Sequence, residues 1–482
     1  MDFRPVLYVT GALLSILAIS MTVPMFVDMA QGHEDWKVFF ICIATTAFFG
    51  GSLVLTNAGT TGLELNVRQA FALTTLSWLA MATFGALPIW LSHESIDFTD
   101  AFFESMSGIT TTGGTVITGL DNMPPGTLLW RSILNWLGGI GFILMAILIL
   151  PFLKVGGMQL FRTESSDKSD KAMPRLQRIG LMTGIAYLFL TFLCALCFWM
   201  AGMSGFDSIN HAMSSIATGG LSTHDASFGF YKNPMILIVA TIFMTLGSLP
   251  FVLYVRGMNG DVLSLFRNSQ VKSFLAFLIA AIFIMSFWLA LQGTLPFPQA
   301  LLHSAFNIVS IVSTTGFSSA DYMQWGNLPV AMFFYLTFVG GCTGSTSGGI
   351  KIMRFQVMNL IVNRHLKKLA QPKAVLTLQY EGRTIGDDIA YSVMVFFFTY
   401  FICVAVLALS LGMCGLDLVT SLSGAASALG NVGPGLGAII GPAGNFSSLP
   451  DNAKWLLSFG MLLGRLEMFT VLVLLTPFFW RR

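Results

Sequence analysis

Apolar runs of about 20 residues alternate with shorter polar or glycine-containing segments along the whole chain. A helix needs roughly 20 apolar residues to cross a hydrocarbon core. Runs of that kind fall at 7–30, 38–56, 69–91, 129–153, 179–203, 233–255, 273–293, 328–361, 388–413 and 455–480. The pattern predicts an all-α polytopic membrane protein. The first run begins just after Arg4. It is too long for a signal peptide and lacks a small-x-small cleavage site, so it reads as a mature helix.

Between the long runs a second pattern repeats. Four times a span is followed by a short, moderately polar, helix-like segment, a glycine-containing stretch and another span. The segments are FTDAFFESMSGITTTGGTVI (98–117), FDSINHAMSSIATGGLST (206–223), LLHSAFNIVSIVSTTGFSS (301–319) and VTSLSGAASALGNVGPGLG (419–437). Their alignment places Gly113, Gly220, Gly316 and Gly433 in register. The preceding positions match in kind: Thr111 and Thr112, Thr218 and Gly219, Thr314 and Thr315, Asn431 and Val432.

Each short segment has room for about 11–13 helical residues, a rise of roughly 18 Å, which is about half a hydrocarbon core. Each must therefore enter and return on one side, and the direction of the flanking spans makes that side extracellular. Irregular backbone at such depth is tolerated only inside protein or beside water. Four loops around one axis satisfy that condition. Glycine adopts dihedrals that other residues resist, so carbonyls can face the axis, with the hydroxyls of Thr112, Thr218 and Thr315 as further ligands for a monovalent cation. The C-terminal ends of the short helices point inward and favour a cation there. Small-residue helix contacts are the alternative for any single loop; four loops in register favour the pore.

Composition and charge set the remaining bounds. The 482 residues are 55% hydrophobic and 10% charged, with mean hydropathy +0.75, whereas soluble domains carry about a quarter charged residues. Of the 25 Lys and Arg, all but Lys37, Arg131, Lys232, Lys454 and Arg465 fall in segments that are internal if both termini are cytoplasmic, which is the orientation the positive-inside rule selects. The basic segments have no interleaved aromatics and do not read as nucleic-acid sites. The six cysteines sit in or beside spans, and the six histidines never fall in a helical His-x-x-x-His arrangement, so no transition-metal centre is expected. GGCTGSTSGGIK (340–351) lacks the ending and preceding strand of a phosphate loop. No nucleophile with an acid–base pair is found at depth, and no enzyme activity is expected.

Two further features stand out. The run 328–361 is too long for one straight crossing, and Gly340, Gly341, Gly344, Gly348 and Gly349 interrupt its middle. It reads as two helical pieces joined by an intramembrane loop ending at Lys351. Arg465 lies about ten residues into its span, roughly 15 Å deep, where a charge costs at least ~2.5–3.5 kcal/mol. Such a residue faces a cavity, and Glu467, two residues on along a helix, points away from it. Glu104, Asp207 and Asn307, in or at the start of the short helices, read as helix caps or as negative potential near the mouth. Asp97, Asp100, Asp121, Asp225, Asp321 and Asp451 read as outer surface carboxylates.

The fourfold span, half-helix, filter and span pattern resembles the superfamily of potassium transporters that includes the bacterial Trk and Ktr systems and the plant HKT proteins. The two extra N-terminal spans, the TTTGGT loop, the GGCTGSTSGGIK stretch and LLGRLEMF (462–469) are similar to its TrkH/TrkG-type membrane subunits in particular. The resemblance implies an N-terminal two-span unit (1–60) and four pore repeats at 61–160, 161–260, 261–380 and 381–482. It implies filter glycines at Gly113, Gly220, Gly316 and Gly433, with carbonyls from Thr112, Gly219, Thr315 and Val432. It implies a gate formed by 339–351, with Gly340, Gly341, Thr343, Gly344, Ser345, Thr346, Ser347, Gly348, Gly349 and Lys351, and a pore-facing Arg465. In this family a serine in place of the first filter glycine is associated with sodium passage, so Gly113 implies potassium. The resemblance further implies a homodimer in the bacterial inner membrane and a TrkA-type cytosolic partner binding NAD(H) and ATP. That partner would dock on 154–178, 256–272 and 363–373. The alternative mechanism is potassium symport with sodium or protons, for which the spans offer few acids beyond Glu104 and Glu467.

Overall fold

In a computed structural model of the chain, residues 2–59, 66–93, 95–148 and 172–481 are described. Among them, seven helices are long and apolar enough to cross a membrane: Arg4–Gln31, Trp36–Asn57, Val67–Ser92, Pro125–Ala146, Arg178–Met200, Ser269–Leu291 and Asp387–Met413. Two further pairs form bent spans, Pro234–Gly247 with Phe251–Met258 at 91° and Asp451–Arg465 with Phe469–Leu475 at 108°. The outer surface is apolar, with Phe48, Phe192, Phe398 and Leu409 exposed, whereas the interior holds many buried serines and threonines. That inversion is what lipid on the outside and a polar axis on the inside require.

The two N-terminal helices cross closely where Gly11 faces Gly50, since a Cβ on Gly11 would lie 2.8 Å from the Gly50 carbonyl oxygen. Thr10 is bonded to Ser77 at 3.1 Å, joining this pair to the first repeat. The four repeats then follow, with half-helices Phe98–Ile109, Gly205–Ile216, Phe297–Val312 and Leu418–Gly430. Three of these start at polar caps. The Asp97 side chain accepts from Asp100 N at 2.7 Å, Ser204 from Asp207 N at 3.0 Å, and Asp417 from Val419 N at 3.0 Å. The third starts instead with Pro298 in its first turn.

Two expected straight spans are corrected. The run 233–255 breaks after Gly247, because Pro250 has no N–H to continue the helix. The run 455–480 breaks after Arg465, where Glu467 (φ 60°) and Met468 (φ 41°) both take positive φ. The third repeat is broken as its sequence predicts, into Asn327–Leu336 and Ile352–Ala370. Residues 149–153 of the fourth expected span lie outside the described residues. One element has no counterpart in the expectation: a two-stranded hairpin of Leu378–Tyr380 with Arg383–Ile385, Leu378 opposite Ile385. Its turn uses Glu381 and Gly382, both at positive φ.

Candidate functional site

Each half-helix ends in the same backbone device. The N–H groups of Thr112, Gly219, Thr315 and Val432 reach back five residues to the carbonyls of Ser107, Ser214, Ser310 and Ser427, at 2.8 to 3.0 Å. The N–H groups of Thr111, Thr218, Thr314 and Asn431 reach back three, to Gly108, Ser215, Ile311 and Ala428, at 2.9 to 3.2 Å. This double bond pattern closes a helix with one left-handed residue, usually glycine. Here that residue is Thr111 (φ 53°), Thr218 (φ 51°), Thr314 (φ 60°) or Asn431 (φ 52°). A β-branched residue in this conformation is strained by about 1–3 kcal/mol, and such strain collects at functional sites.

Gly113, Gly220, Gly316 and Gly433 follow at φ 83°, 72°, 89° and 105°. A Cβ on any of them would overlap the neighbouring repeat's carbonyl oxygen at 2.7 Å or less: Gly113 that of Gly219, Gly220 that of Thr315, Gly316 that of Val432, and Gly433 that of Thr112. The contacts run from repeat one to two, three, four and back to one. They define a closed ring of four carbonyls. The expected hydroxyl ligands are engaged locally: Thr112 Oγ1 with Thr110 Oγ1 at 2.8 Å and Asn431 Nδ2 at 3.0 Å, Thr315 Oγ1 with Ser313 Oγ at 2.6 Å, and Thr218 Oγ1 with the Ala217 carbonyl at 2.7 Å.

On the outer side of the ring a cavity of about 220 Å³ is lined by Gly113, Gly220, Gly316, His224 and Asp225 among others. At its rim His224 is paired with Asp121 and lies 3.6 Å from Asp207. Burial pulls the His224 pKa down, but the bonds to the two carboxylates outweigh it and hold the pKa above the usual histidine value. The outer carboxylates are mostly occupied. Asp225 accepts from Gly119 N and Leu120 N at 3.1 and 3.2 Å, Asp321 accepts from Met323 N at 3.0 Å, and Asp100 is paired with Lys454.

On the inner side, the loop 337–351 lies against the C-terminal ends of three half-helices. Gly348 N donates to Thr314 Oγ1 at 2.6 Å, and Thr346 Oγ1 donates to the carbonyls of Ile216 at 3.0 Å and Gly247 at 2.9 Å. Gly348 also packs on the end of the fourth half-helix, where a Cβ would lie 2.5 Å from the Gly430 carbonyl oxygen and 3.0 Å from the Asn431 Cβ. The loop is also pinned at its edges: Gly341 N to Ser347 Oγ at 2.9 Å, Cys342 N to the Ser248 carbonyl at 2.9 Å, Thr343 N to Gln270 Oε1 at 3.1 Å, and Phe251 N to the Gly344 carbonyl at 2.9 Å. Ser345 Oγ closes a turn on the Cys342 carbonyl at 2.6 Å, Gly340 N bonds the Ile350 carbonyl at 2.9 Å, and Gly349 takes φ 64°. Lys351 Nζ donates to the Ser347 carbonyl. The break after Gly247 thus leaves carbonyls that the loop's own N–H and O–H groups satisfy.

Arg465 closes the arrangement. Its guanidinium, 1% exposed, donates to the Thr346 carbonyl at 2.7 Å and to the Gly138 carbonyl at 3.3 Å, and its carbon lies 4.0 Å from the Phe142 ring centroid. The structure brings together the sequence-predicted residues of the four loops, the gate stretch and Arg465. Glu467 does not pair with Arg465; it is paired with Arg354, which also stacks 3.7 Å from the Phe396 centroid.

The chain matches the family described as TrkH, cation transport protein, over residues 35–482. The chain belongs to the TrkH family. It is 48% identical to the Trk system potassium uptake protein TrkI of Halomonas elongata, over all of this chain and 97% of that one. It is 34% identical to the Trk system potassium uptake protein TrkG of Escherichia coli, over 99% of each. The crystal structure of the potassium transporter TrkH from Vibrio parahaemolyticus superposes with a TM-score of 0.92 at 33% identity, covering all of both chains. For this TrkH-family chain the fold is accordingly a polytopic helical membrane protein with four span, half-helix and span repeats.

Three buried basic residues among those described escaped the sequence reading. Arg131 and Lys454, expected in outer segments, and Arg354, expected in an inner basic one, are all buried, with Arg131 and Arg354 at 1% or less exposure. Each pairs with an acid: Glu104, Asp100 and Glu467 respectively. The signal that could have found Arg131 is Glu104 itself, since an acid in mid half-helix at membrane depth demands a cation.

Proposed function

We propose that the chain is the ion-conducting subunit of a bacterial potassium-uptake system, passing K+ along one axis per chain through the four-carbonyl ring. The closed cyclic order of glycine against carbonyl carries this reading. Four backbone oxygens fixed by strained helix ends can replace the hydration shell of a monovalent cation, and the half-helix C-termini add negative potential below it. Potassium as the ion is supported by the names of the relatives and by glycine at position 113. The drive is the inside-negative membrane potential, roughly 2.3 kcal/mol per charge per 100 mV.

The stretch 339–351, held by Arg465 and Thr314, is proposed as the closed gate. Glu104 and Glu467 each have a cationic partner at bonding distance, which disfavours them as a titrating relay and favours passive conduction over symport. We extend the reading to an inner-membrane homodimer with both termini cytoplasmic, controlled by a TrkA-type nucleotide-binding partner on 256–272 and 363–373. The third expected docking stretch, 154–178, falls mostly outside the described residues.

The test is ion flux through the purified chain in liposomes with the potential clamped. Passive, potassium-preferring flux along the electrochemical gradient is expected. Accumulation of potassium against that gradient, only when a sodium or proton gradient is imposed, would replace the reading with symport.

A further inference from the structure

Behind each quarter of the ring, a side chain of the half-helix holds the strand that leaves the filter, and the four holders differ in chemistry. Val116 N donates to Glu104 Oε2 at 2.9 Å, Ser319 N to Asn307 Oδ1 at 3.2 Å, and Leu436 N to Ser423 Oγ at 2.9 Å. In the second repeat Thr223 Oγ1 donates to Asp207 Oδ1 at 2.7 Å, and His211 Nε2 is bonded to Ser222 Oγ at 3.0 Å. Only the first of these holders is joined to a buried guanidinium among the described residues.

That guanidinium makes three directed contacts. Arg131 Nε donates to Glu104 Oε1 at 2.7 Å, Nη2 to Thr115 Oγ1 at 3.1 Å, and Nη1 to the Ser222 carbonyl at 2.9 Å. The last contact belongs to the exit strand of the second repeat, two residues past Gly220. Thr115 Oγ1 in turn donates to the Glu104 carboxylate at 3.0 Å. Glu104 and Arg131 are 0% and 1% exposed. A buried ion pair contributes little net stability compared with well-packed apolar residues of similar volume, so stability alone does not account for it. What a planar fork supplies is position in several directions at once.

Resting on the proposed reading of the ring as a filter, we infer that Glu104 and Arg131 are positioning residues for ion discrimination. The pair fixes the exit strands of the first two repeats against each other, and with them the separation of the Thr112 and Gly219 carbonyls. The other quarters are tied across repeats by neutral bonds, Ser318 Oγ to the Pro442 carbonyl at 3.0 Å and Phe446 N to the Thr115 carbonyl at 2.8 Å; among the described residues only the first two repeats are joined behind the ring by a buried ion pair.

The experiment is the potassium-to-sodium permeability ratio, from reversal potentials of the full chain in liposomes under bi-ionic gradients, for wild type, Arg131→Lys, Glu104→Gln and Thr115→Val. Lysine keeps the charge but cannot span Glu104 and Ser222 together. Thr115→Val removes a partly exposed hydroxyl that links both members, and it is the variant expected to fold like wild type by thermal melting. The ratio is expected to fall at least threefold in Arg131→Lys and Glu104→Gln, and measurably in Thr115→Val. A wild-type ratio in every variant that folds, even with reduced total flux, would overturn the inference, and an unchanged ratio in Thr115→Val is enough to do so by itself. A wild type without potassium preference would instead sink the filter reading.

Discussion

Replacing Arg465 tests the proposed gate most directly. Arg465→Ala removes a charged hydrogen bond to the Thr346 carbonyl at 2.7 Å, a longer one to Gly138 at 3.3 Å, and a cation held 4.0 Å from the Phe142 centroid. A hydrogen bond to a charged group stabilises by about 1.5–3 kcal/mol, and 1.4 kcal/mol is tenfold in an equilibrium, so loss of the first contact alone raises the open fraction roughly 10- to 100-fold. Removing the charge also lowers the barrier to a partly dehydrated cation. Arg465→Lys separates the two effects, because it keeps the charge and loses the fork that joins the loop to the first repeat. Basal potassium flux in liposomes, without partner and at clamped potential, should rise strongly in the alanine variant and by a smaller factor in the lysine variant. A folded Arg465→Ala protein with wild-type flux would refute the gate assignment. Equal flux in the two variants would mean that the contact with Thr346, rather than the charge, holds the pore shut.

Gly113→Ser places a Cβ against the Gly219 carbonyl and should lower the potassium-to-sodium ratio; an unchanged ratio counts against the ring as the discriminating element. Removing residues 340–349 takes away the bonds to Thr314, Ile216 and Gly247 and should raise basal flux in a protein that still folds, measured in the same liposomes. His224, outside the spans, has a raised pKa in the folded state because Asp207 and Asp121 outweigh its burial. Its contribution is therefore fully present below about pH 6.5, the ordinary histidine value, and is lost as pH rises through the raised one. Thermal melting should show a fall of roughly 1–2 °C between pH 5.5 and 8.5 that His224→Gln removes; a pH-dependent fall of the same size in that variant would assign it elsewhere.

The spans, the half-helices and the break in 328–361 were legible because each leaves a signature in hydropathy or glycine spacing. The bends after Gly247 and Arg465 were not. A window of apolar residues averages over a local break, and the causes are single events, a proline at 250 and two positive-φ residues at 467 and 468. Buried charges were hidden for another reason. Counting Lys and Arg by loop places Arg131, Arg354 and Lys454 in water, whereas their partners are 27, 113 and 354 positions away in sequence. Such pairing becomes visible only when elements are packed. The register of the glycine ring lay in between: the glycines aligned from the sequence, but which carbonyl each faces depends on the order of repeats around the axis.

That order has a consequence of its own. A ring assembled from four copies of one short subunit changes everywhere when a codon changes, so its tuning moves in steps of four. Here each quarter is encoded separately, and a substituent on any ring glycine strikes the oxygen of the following repeat rather than the preceding one. A lesion in one quarter is therefore handed on in a single rotational sense, and the opening can be adjusted asymmetrically, one oxygen at a time.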